Sequence, residues 1–304
     1  MNPLVSVIVV VHNNLQDLPA CLNSIREQTY QPVEVIVVDN ASTDGSTDFL
    51  SQQQDILLIR NPLNRGFAAG NNQGLARSRA EAILLLNADA WLERNCISKL
   101  MGALFRQPQI GSAAPKVLRA DGITLDSTGI LLQKHRLSPM DRGEGQLDRG
   151  QFDTPEQRDI FGPSGAVAIY KKETLFAAAI EGQIFDEDFF AYYEDVDLAW
   201  RLQVLGWKSV YVPEAVAWHD RKGPGPKPGW LRRQAYANRY FCYVKNDLSS
   251  FRSFLFSRTF LLECGRCLKL FARHPHMLGA WWLFLKRLPR MMRKRQWVKN
   301  HKAE

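Results

Sequence analysis

Continuous apolar runs alternate with helically spaced apolar residues through the first hundred positions. Residues 4–11 are β-branched or apolar at nearly every position, which is typical of a strand buried on both faces of a parallel sheet. The next apolar residues recur at helical spacing behind Asn14, a suitable N-cap: Leu15, Leu18, Leu22 and Ile25. Further strands are predicted at 33–38, 56–59 and 82–86, with a helix over 70–80. This alternation predicts an α/β fold with a mostly parallel, Rossmann-like sheet flanked by helices.

Polar residues follow three of these strands. His12-Asn13, Asp39-Asn40 and Asn87-Ala88-Asp89 each stand at a predicted carboxyl end. Ligands of open α/β sheets bind at that edge, so the three groups together predict a binding cleft. Each group taken alone is equally compatible with a turn, because Asn and Asp favour turns for local reasons.

The second half of the chain has a different pattern. Residues 111–170 predict short strands and turns, with a mobile surface loop over 139–156. Residues 161–170 read as a tight turn that leads into a buried strand. A helix is predicted over 194–205, ending at Gly206, and then a strand over 207–212 that Pro213 closes. The Gly- and Pro-rich residues 223–229 predict a flexible loop.

Charge separates the C-terminal part from the rest. The 304-residue chain is 45% hydrophobic and has net charge +8, but from His219 onward it holds 20 Lys+Arg against 4 Asp+Glu. That part is thus net +16 and residues 1–218 are net −8. The imbalance predicts an anionic partner, either phospholipid or nucleic acid. Basic, aromatic, amphipathic helices over 246–304 suit a membrane interface; the alternative is helices that pack on the domain with a solvated basic face.

Cysteine usage and hydropathy indicate the compartment. Five cysteines without framework spacing, and an N-terminus without a secretory pattern, predict a reducing cytoplasm. The apolar runs 4–11 and 277–285 have 8 and 9 residues, against about 20 for a membrane span. We therefore expect a protein that is peripheral on the inner face of the cell membrane.

Four motifs in order resemble those of the family 2 glycosyltransferases. They are VDNASTDGS at 38–46, NRGFAAGNN at 64–72, LLNAD at 85–89 and YYEDVDLAWR at 192–201. A fifth motif, VIVVVHNN at 7–14, precedes these four and belongs to the same resemblance. The set is most similar to the rhamnosyltransferase-like branch that builds bacterial surface polysaccharides, lipopolysaccharide among them. The resemblance covers roughly residues 4–245. It implies a GT-A fold over 1–245, with a donor-binding half near 1–115, an acceptor-binding half near 116–245 and a helical extension over 246–304.

The resemblance also implies the ligands. They are a dTDP- or UDP-linked sugar donor, a Mg²⁺ or Mn²⁺ ion and a lipid-linked saccharide acceptor, with inversion at the anomeric carbon. The donor residues implied are Val11, Asn13, Asp39, Gly66, Phe67, Asn71 and Asn87. Asn87 takes the place of the first carboxylate of the family's D-x-D motif, which leaves Asp89 as the charged metal ligand, and His219 resembles the histidine that completes the metal site. One carboxylate is chemically sufficient because hard cations retain water and phosphate ligands.

The motif around residue 194 implies the catalytic base. By resemblance Asp195 removes the acceptor proton, and Glu194 orients the acceptor or the base. Both begin a predicted helix, whose N-terminal dipole should favour the ionised form. Asp197 and Arg201 are spaced for an ordinary ion pair on that helix. The acidic run Asp186, Glu187 and Asp188 is expected to be a solvated turn.

Basic residues further along invite a donor-closing loop. Lys222, Lys227, Arg232 and Arg233 stand where such a loop would fold over the diphosphate; a solvated surface is the alternative.

Two other functions remain open at this stage. A sugar-1-phosphate nucleotidyltransferase would share the nucleotide-binding sheet, but an early Gly-rich loop that ends in Lys is missing. A nucleic-acid-binding protein would explain the basic tail, but its basic residues are confined to the end and no nucleic-acid-binding module is recognised. The sequence favours glycosyl transfer without a nucleic-acid partner.

Overall fold

A computed structural model describes residues 2–133, 138–221, 228–249 and 258–303. The strands in these ranges are β1 (Val5–Val11), β2 (Val33–Asp39), β3 (Ile56–Arg60), β4 (Ala82–Asn87), β5 (Ala90–Leu92), β6 (Ile110–Arg119), β7 (Leu125–Ser127), β8 (Ile130–Gln133), β9 (Ser138–Asp141), β10 (Asp159–Ile160), β11 (Val167–Lys171) and β12 (Lys208–His219). The helices are α1 (Leu18–Arg26), α2 (Ser46–Ser51), α3 (Gly66–Arg77), α4 (Cys96–Leu104), α5 (Lys172–Ala177), α6 (Glu194–Val204), α7 (Gly229–Asn246), α8 (Arg258–Arg273) and α9 (Leu278–Asn300).

The central sheet runs in the order β10-β12-β6-β11-β4-β1-β2-β3. Strands β4, β1, β2 and β3 are parallel, as the βαβ pattern predicts, while β11 is antiparallel to both β4 and β6. Strand β5 pairs with β12, and β7 with β6. The parallel half therefore directs the ends of β1, β2 and β4 to one edge of the sheet.

Both faces of the sheet are covered. Val7 of β1 packs in a cluster with Leu22 of α1 and Leu100 of α4, whereas the adjacent Ile8 packs with Leu75 of α3 and Leu198 of α6. Successive side chains of a strand point to opposite faces, so a strand between two helical layers needs apolar residues at every position. This accounts for the continuous apolar run that begins the chain.

Three predicted boundaries differ from the structure. Helix α3 begins at Gly66, four residues before the predicted start, and β9 lies within the stretch predicted to be a mobile loop. Strand β12 does not end at Pro213. Its pairing with β6 breaks between Val212 and Val216 and then resumes to His219. A bulge accommodates the proline, which has no N–H for the ladder, and the strand continues beyond it.

The C-terminal helices pack on the rest of the fold. Helix α9 contacts α7 extensively, and Met291 of α9 shares a buried cluster with Phe241 of α7, Phe189 and Trp200. Of the two arrangements considered for this segment, packing on the domain is therefore present. No helix within the described ranges combines the length and apolarity needed to cross a bilayer.

Two of the three acidic residues in the turn before α6 are buried, so the predicted solvation is wrong for these two, while Glu187 is partly exposed. Asp186 and Asp188 are 4% and 8% exposed. Lys294 of α9 donates to both carboxylates at 2.6 and 2.8 Å, and Lys245 of α7 donates to Asp186 at 2.7 Å. The two lysines hold the pKa of Asp186 well below its usual range despite burial. The turn is thus a docking point for the C-terminal helices.

The predicted ion pair on α6 is confirmed and belongs to the same network. Arg201 Nη2 lies 2.9 Å from Asp197 Oδ2, with both side chains buried. Lys245 donates to that oxygen at 2.8 Å, and Asn246 to Asp197 Oδ1 at 2.8 Å. Asp197 therefore has a structural role.

Candidate active site

A cavity of about 260 Å³ lies at the carboxyl ends of β1, β2 and β4. Its polar lining consists of His12, Asn14, Asn40, Asn64, Asn87 and Asp89. Its apolar lining consists of Val10, Gly66, Phe67, Ala88, Phe190, Ala191, Tyr192 and Leu231. The three polar groups predicted to follow the strands therefore do converge on one cleft, at the edge expected of an open α/β sheet.

Three of the predicted donor-binding residues line this cavity, namely Gly66, Phe67 and Asn87. Gly66 has φ +86°, and a Cβ there would lie 2.5 Å from the carbonyl oxygen of Phe190. The contact with Phe190 is therefore sufficient to require glycine at position 66, whether or not a nucleotide also approaches this backbone.

The other four predicted donor residues lie around the cavity and outside its described lining. Val11 is fully buried, and its carbonyl accepts from Asn40 N at 2.8 Å. Asn13 Oδ1 accepts from Thr43 N at 2.7 Å. Val11 can therefore contact a ligand only through its backbone, whereas the Asn13 side chain is exposed.

Asp39 and Asn71 are buried as well. The Asp39 carboxylate accepts from Ser42 N at 3.1 Å and Thr47 Oγ1 at 2.5 Å, so it braces the loop after β2. Asn71 donates to the Phe67 carbonyl within α3 at 3.0 Å. In this arrangement Asn71 supports the helix that carries the cavity wall.

Asp89 and His219 are brought together by strand pairing. Strands β5 and β12 are antiparallel with His219 opposite Ala90, and Asp220 N donates to Asp89 O at 2.8 Å. His219 Nε2 consequently lies 3.2 Å from Asp89 Oδ1. The continuation of β12 past Pro213 is what delivers His219 to this position.

A second carboxylate fixes the His219 ring. Asp126, which is fully buried, has Oδ2 2.8 Å from His219 Nδ1, and its Oδ1 lies 3.1 Å from Arg221 Nε. Burial alone would lower the pKa of His219, but the hydrogen bonds to Asp126 and Asp89 outweigh burial and raise it to about 9. Asp126 thus orients the ring so that Nε2 faces Asp89, which lines the cavity.

The chemistry of this pair is compatible with a divalent cation. The described residues contain no group of three or more His, Cys, Asp or Glu side chains arranged to hold a metal. Asp89 is partly exposed at the cavity and the Asp89 and His219 donors face one another, which leaves coordination positions for phosphate oxygens and water. Mg²⁺ is commonly held in this way, by one or two carboxylates together with substrate phosphates.

Glu194 and Asp195 differ in environment although they are adjacent. Glu194 is buried, and its Oε2 has no hydrogen-bond partner among the described residues. Burial, and then the neighbouring Asp195 charge, raise the pKa of Glu194 to about 8. Asp195 is half-buried and accepts from Gly165 N at 2.9 Å and Val196 N at 2.8 Å.

Burial raises the pKa of Asp195 too, against the opposing effect of those backbone hydrogen bonds. The helix dipole therefore does not dominate, contrary to the sequence-based expectation. Only Asp195 accepts from Gly165 N and Val196 N, which favours its ionised form, whereas the raised pKa of Glu194 favours its protonated form.

Asp195 is linked to the cavity through β11. Its partner Gly165 precedes Ala166, whose carbonyl accepts from Asn87 N at 2.9 Å. On the other side, Phe190 to Tyr192 line the cavity and lead directly into α6. Asp195 and the Asp89–His219 pair are thus held by one continuous set of contacts.

Several site residues could not be found from the sequence. Asp126 lies in a segment without periodicity, and its partner His219 is 93 positions away. His12 and Asn40 carried a signal as polar residues at strand ends. Of the basic residues expected over the diphosphate, Lys222 and Lys227 lie outside the described residues, as does most of the predicted flexible loop. Arg232 and Arg233 are on α7 beside the cavity residue Leu231.

Comparison with known proteins identifies the family. Residues 6–150 match the family model described as glycosyl transferase family 2. This segment is a family 2 glycosyltransferase domain. The whole chain is 26% identical over 249 residues to the N-acetylglucosaminyl-diphospho-decaprenol L-rhamnosyltransferase of Mycobacterium tuberculosis, and this match covers 73% of the chain and 77% of the relative.

Solved structures show that the glycosyltransferase has the GT-A fold. A mannosyltransferase from Pyrobaculum calidifontis, in complex with GDP-Man and Mn²⁺, superposes with a TM-score of 0.56 at 18% identity and covers 98% of this chain and 85% of its own. GalNAc-T7 with UDP, GalNAc and Mn²⁺ gives a TM-score of 0.57 at 14% identity over 81% of this chain. The match spans 50% of the length of GalNAc-T7.

Proposed function

We propose that the protein is an inverting, metal-dependent glycosyltransferase that transfers rhamnose from a dTDP- or UDP-linked donor to a hydroxyl of a lipid-linked saccharide in surface-polysaccharide synthesis. The carrying observation is that Asp89 lines the cavity at the sheet edge with His219 beside it, while Asp195 accepts from Gly165, next to the residue that pairs with Asn87 of the cavity wall. The donor half is 1–115, and the acceptor half begins near 116. Rhamnose and the lipid carrier are supported by similarity to the mycobacterial rhamnosyltransferase.

The nucleoside diphosphate leaving group would be stabilised at the Asp89 end of the cavity. Asp89 and His219 would hold a divalent cation there, which would neutralise charge on the departing nucleoside diphosphate. Asn87 and the amides of Asn14, Asn40 and Asn64 supply polar contacts for the donor without adding negative charge next to the phosphates. Phe67, Phe190 and Leu231 supply an apolar wall, which suits the methyl group of a deoxysugar.

Asp195 acts on the acceptor. As the acceptor oxygen bonds to C1 of the sugar, the bond from C1 to the diphosphate oxygen breaks, and the acceptor proton passes to an Asp195 carboxylate oxygen. Attack on the face opposite the leaving group inverts C1. The protonated Glu194 removes a competing negative charge, so Asp195 is ionised when the hydroxyl arrives.

Asp195→Asn tests this assignment. The variant keeps the shape of the side chain and loses the base, so turnover of a nucleotide sugar should fall by about 10²–10⁴-fold while nucleoside diphosphate binding persists. Asp159→Asn, on an exposed edge strand, serves as the matched control. Unchanged turnover in Asp195→Asn would remove the base from this position.

The proposed membrane surface is on α8 and the first half of α9. Glu263 and Cys267 of α8 face α7, where Glu263 Oε1 lies 2.7 Å from Arg239 and Cys267 Sγ lies 3.3 Å from Tyr236 Oη. Helical periodicity puts Leu261 and Leu268 on the opposite side, and they are 71% and 73% exposed. The helix thus contacts α7 through Glu263 and Cys267 and presents apolar leucines to the surroundings.

Helix α9 continues this surface with Trp282 and Leu285, which are 64% and 61% exposed. Lys286 lies over the Trp282 ring at 4.9 Å, and the helix that carries the α8 leucines also carries Arg266, Lys269 and Arg273. Apolar residues edged by cations suit an anionic phospholipid surface. A lipid-linked acceptor in that surface would then lie within reach of the enzyme.

A further inference from the structure

A strained segment forms one wall of the cavity. Phe190, Tyr192 and Tyr193 have φ of 62°, 72° and 72°, which is left-handed backbone that side-chain-bearing residues adopt rarely. Two of these residues line the cavity, and the third immediately precedes Glu194. Such backbone persists only where surrounding contacts enforce it, so the contacts of residues 189–193 identify what maintains the wall.

One side chain supplies most of those contacts. Asn238, in the middle of α7, is fully buried. Its Nδ2 donates to the carbonyl oxygens of Phe189 at 2.7 Å, Ala191 at 3.0 Å and Tyr192 at 2.8 Å. Its Oδ1 accepts from Gln234 Nε2 at 2.6 Å. The left-handed backbone allows these three carbonyl oxygens to point at one side-chain amide.

The start of α3 holds the opposite side of the segment. Ala68 N donates to the Phe190 carbonyl at 3.1 Å, and Gly66 lies so close that any Cβ would meet that same oxygen. Residues 189–193 are therefore clasped between the start of α3 and the middle of α7. A shift of this segment would move both the apolar wall of the cavity and the start of the helix that carries Asp195.

We propose that Asn238 is a positioning residue that holds the wall 189–193 in its left-handed form, and thereby sets the distance between the bound sugar and Asp195. The proposal rests on the proposed function for its catalytic consequence and on geometry alone for its structural one. Asn238 itself has no contact with the cavity. Its effect passes through the backbone of residues that do.

Asn246 provides a matched control. It is also an asparagine on α7 and fully buried, and its Nδ2 donates to Asp197 Oδ1 at 2.8 Å and Cys242 O at 3.0 Å. Asn238→Ala and Asn246→Ala therefore remove the same amide from the same helix. Only the first releases the carbonyl oxygens of the wall.

The structural arm measures hydrogen–deuterium exchange of peptides that cover residues 187–196. In Asn238→Ala their exchange should rise at least tenfold, while in Asn246→Ala it stays near the wild-type rate. Equal exchange in the two variants would overturn the proposal. Asn238→Asp keeps the shape of the side chain but loses the donors. Its peptides 187–196 should exchange faster than those of the alanine variant.

The catalytic arm separates turnover from donor binding. Asn238→Ala should lower kcat for sugar transfer at least tenfold more than Asn246→Ala, with a smaller effect on the dissociation constant for UDP or dTDP. Equal effects of the two variants on kcat would refute a positioning role. If the wild type transfers no sugar, the proposed function fails, and the exchange arm still decides what Asn238 does.

A variant outside α7 covers the case in which Asn238 variants fail to fold. Gly66→Ala adds a Cβ that would clash with the Phe190 carbonyl oxygen from the α3 side. It should accelerate exchange of the same peptides without any change in α7. Unaltered exchange there would contradict a clasped segment.

Discussion

Lys294 of the last helix donates to Asp186 Oδ1 at 2.6 Å, with 108 positions between the two residues. Both side chains are 4% exposed. The same ammonium group lies 2.8 Å from Asp188, so one cation joins α9 to the turn before α6. The concentration of acidic residues before residue 190 in a basic protein is explained by buried lysines that arrive from α7 and α9.

Lys294→Met should destabilise the protein strongly. It keeps the apolar part of the side chain but leaves two buried carboxylates with fewer cations, and breaking a buried pair in this way costs about 3–5 kcal/mol. The free energy of unfolding from guanidinium denaturation measures the loss. Lys299→Met, exposed on the same helix, should change it by less than about 0.5 kcal/mol. Similar losses in the two variants would mean that the buried network is unimportant.

The pKa of Glu194 predicts a pH dependence of stability. Burial and Asp195 raise it from 4.5 to about 8, so the folded state binds more protons than the unfolded state between these values. The Glu194 contribution is therefore fully present below about pH 4.5 and is lost as pH rises towards about 8.

Glu194→Gln removes that titration. Its Tm relative to wild type should increase steadily from pH 5 to pH 8.5 in thermal unfolding, whereas the exposed Glu27→Gln should give a constant difference. Parallel curves for Glu194→Gln and wild type would show that Glu194 does not carry a raised pKa.

Asp126→Asn should weaken metal binding although Asp126 is not one of the proposed metal ligands. The substitution leaves His219 without the carboxylate that fixes its ring, and loss of such an outer partner costs about 10–100-fold in metal affinity. Titration of Mn²⁺ by electron paramagnetic resonance, with and without UDP, measures this. Asp159→Asn again serves as the control, and an affinity equal to wild type in Asp126→Asn would argue against His219 as a ligand.

The exposed leucines of α8 should govern membrane binding. The double variant Leu261→Gln, Leu268→Gln should lower cosedimentation with phosphatidylglycerol vesicles by at least about tenfold, since burial of each leucine is worth about 1.5–3 kcal/mol. Leu63→Gln alters a leucine that is 60% exposed in the donor half and should have no effect. If neither the double variant nor Leu63→Gln reduces vesicle binding, the membrane contact lies outside α8. Point variants are preferable to truncation, because removal of α9 would strip Lys294 from buried Asp186.

Local patterns in the sequence were sufficient for the parallel half of the sheet. Strand β1 is apolar at every position except Ser6 because helices cover both its faces, and the polar residues after β1, β2 and β4 follow from strand ends alone. The motifs supplied Asp89, Asp195 and His219 by resemblance. The structure shows why Asp89 and His219 are adjacent, namely the pairing of β5 with the far end of β12.

Features that depend on distant partners could not be predicted. The burial of Asp186 needs Lys294, the role of Asp126 needs His219, and the importance of Asn238 needs carbonyl oxygens 46–49 positions away. Pro213 was misinterpreted for a related reason, since whether a proline ends a strand depends on the neighbouring strand. In each case the sequence contains both partners but no local signal that they meet.

The contact between Gly66 and Phe190 bears on attempts to build hybrid enzymes. Residues 1–115 could be replaced by the matching segment of another glycosyltransferase in order to change the sugar transferred. Any residue larger than glycine at position 66 would then collide with the backbone at residue 190, 2.5 Å away. The two segments are therefore not interchangeable modules, and a working chimaera would have to exchange residues 64–68 and 189–193 as a matched set.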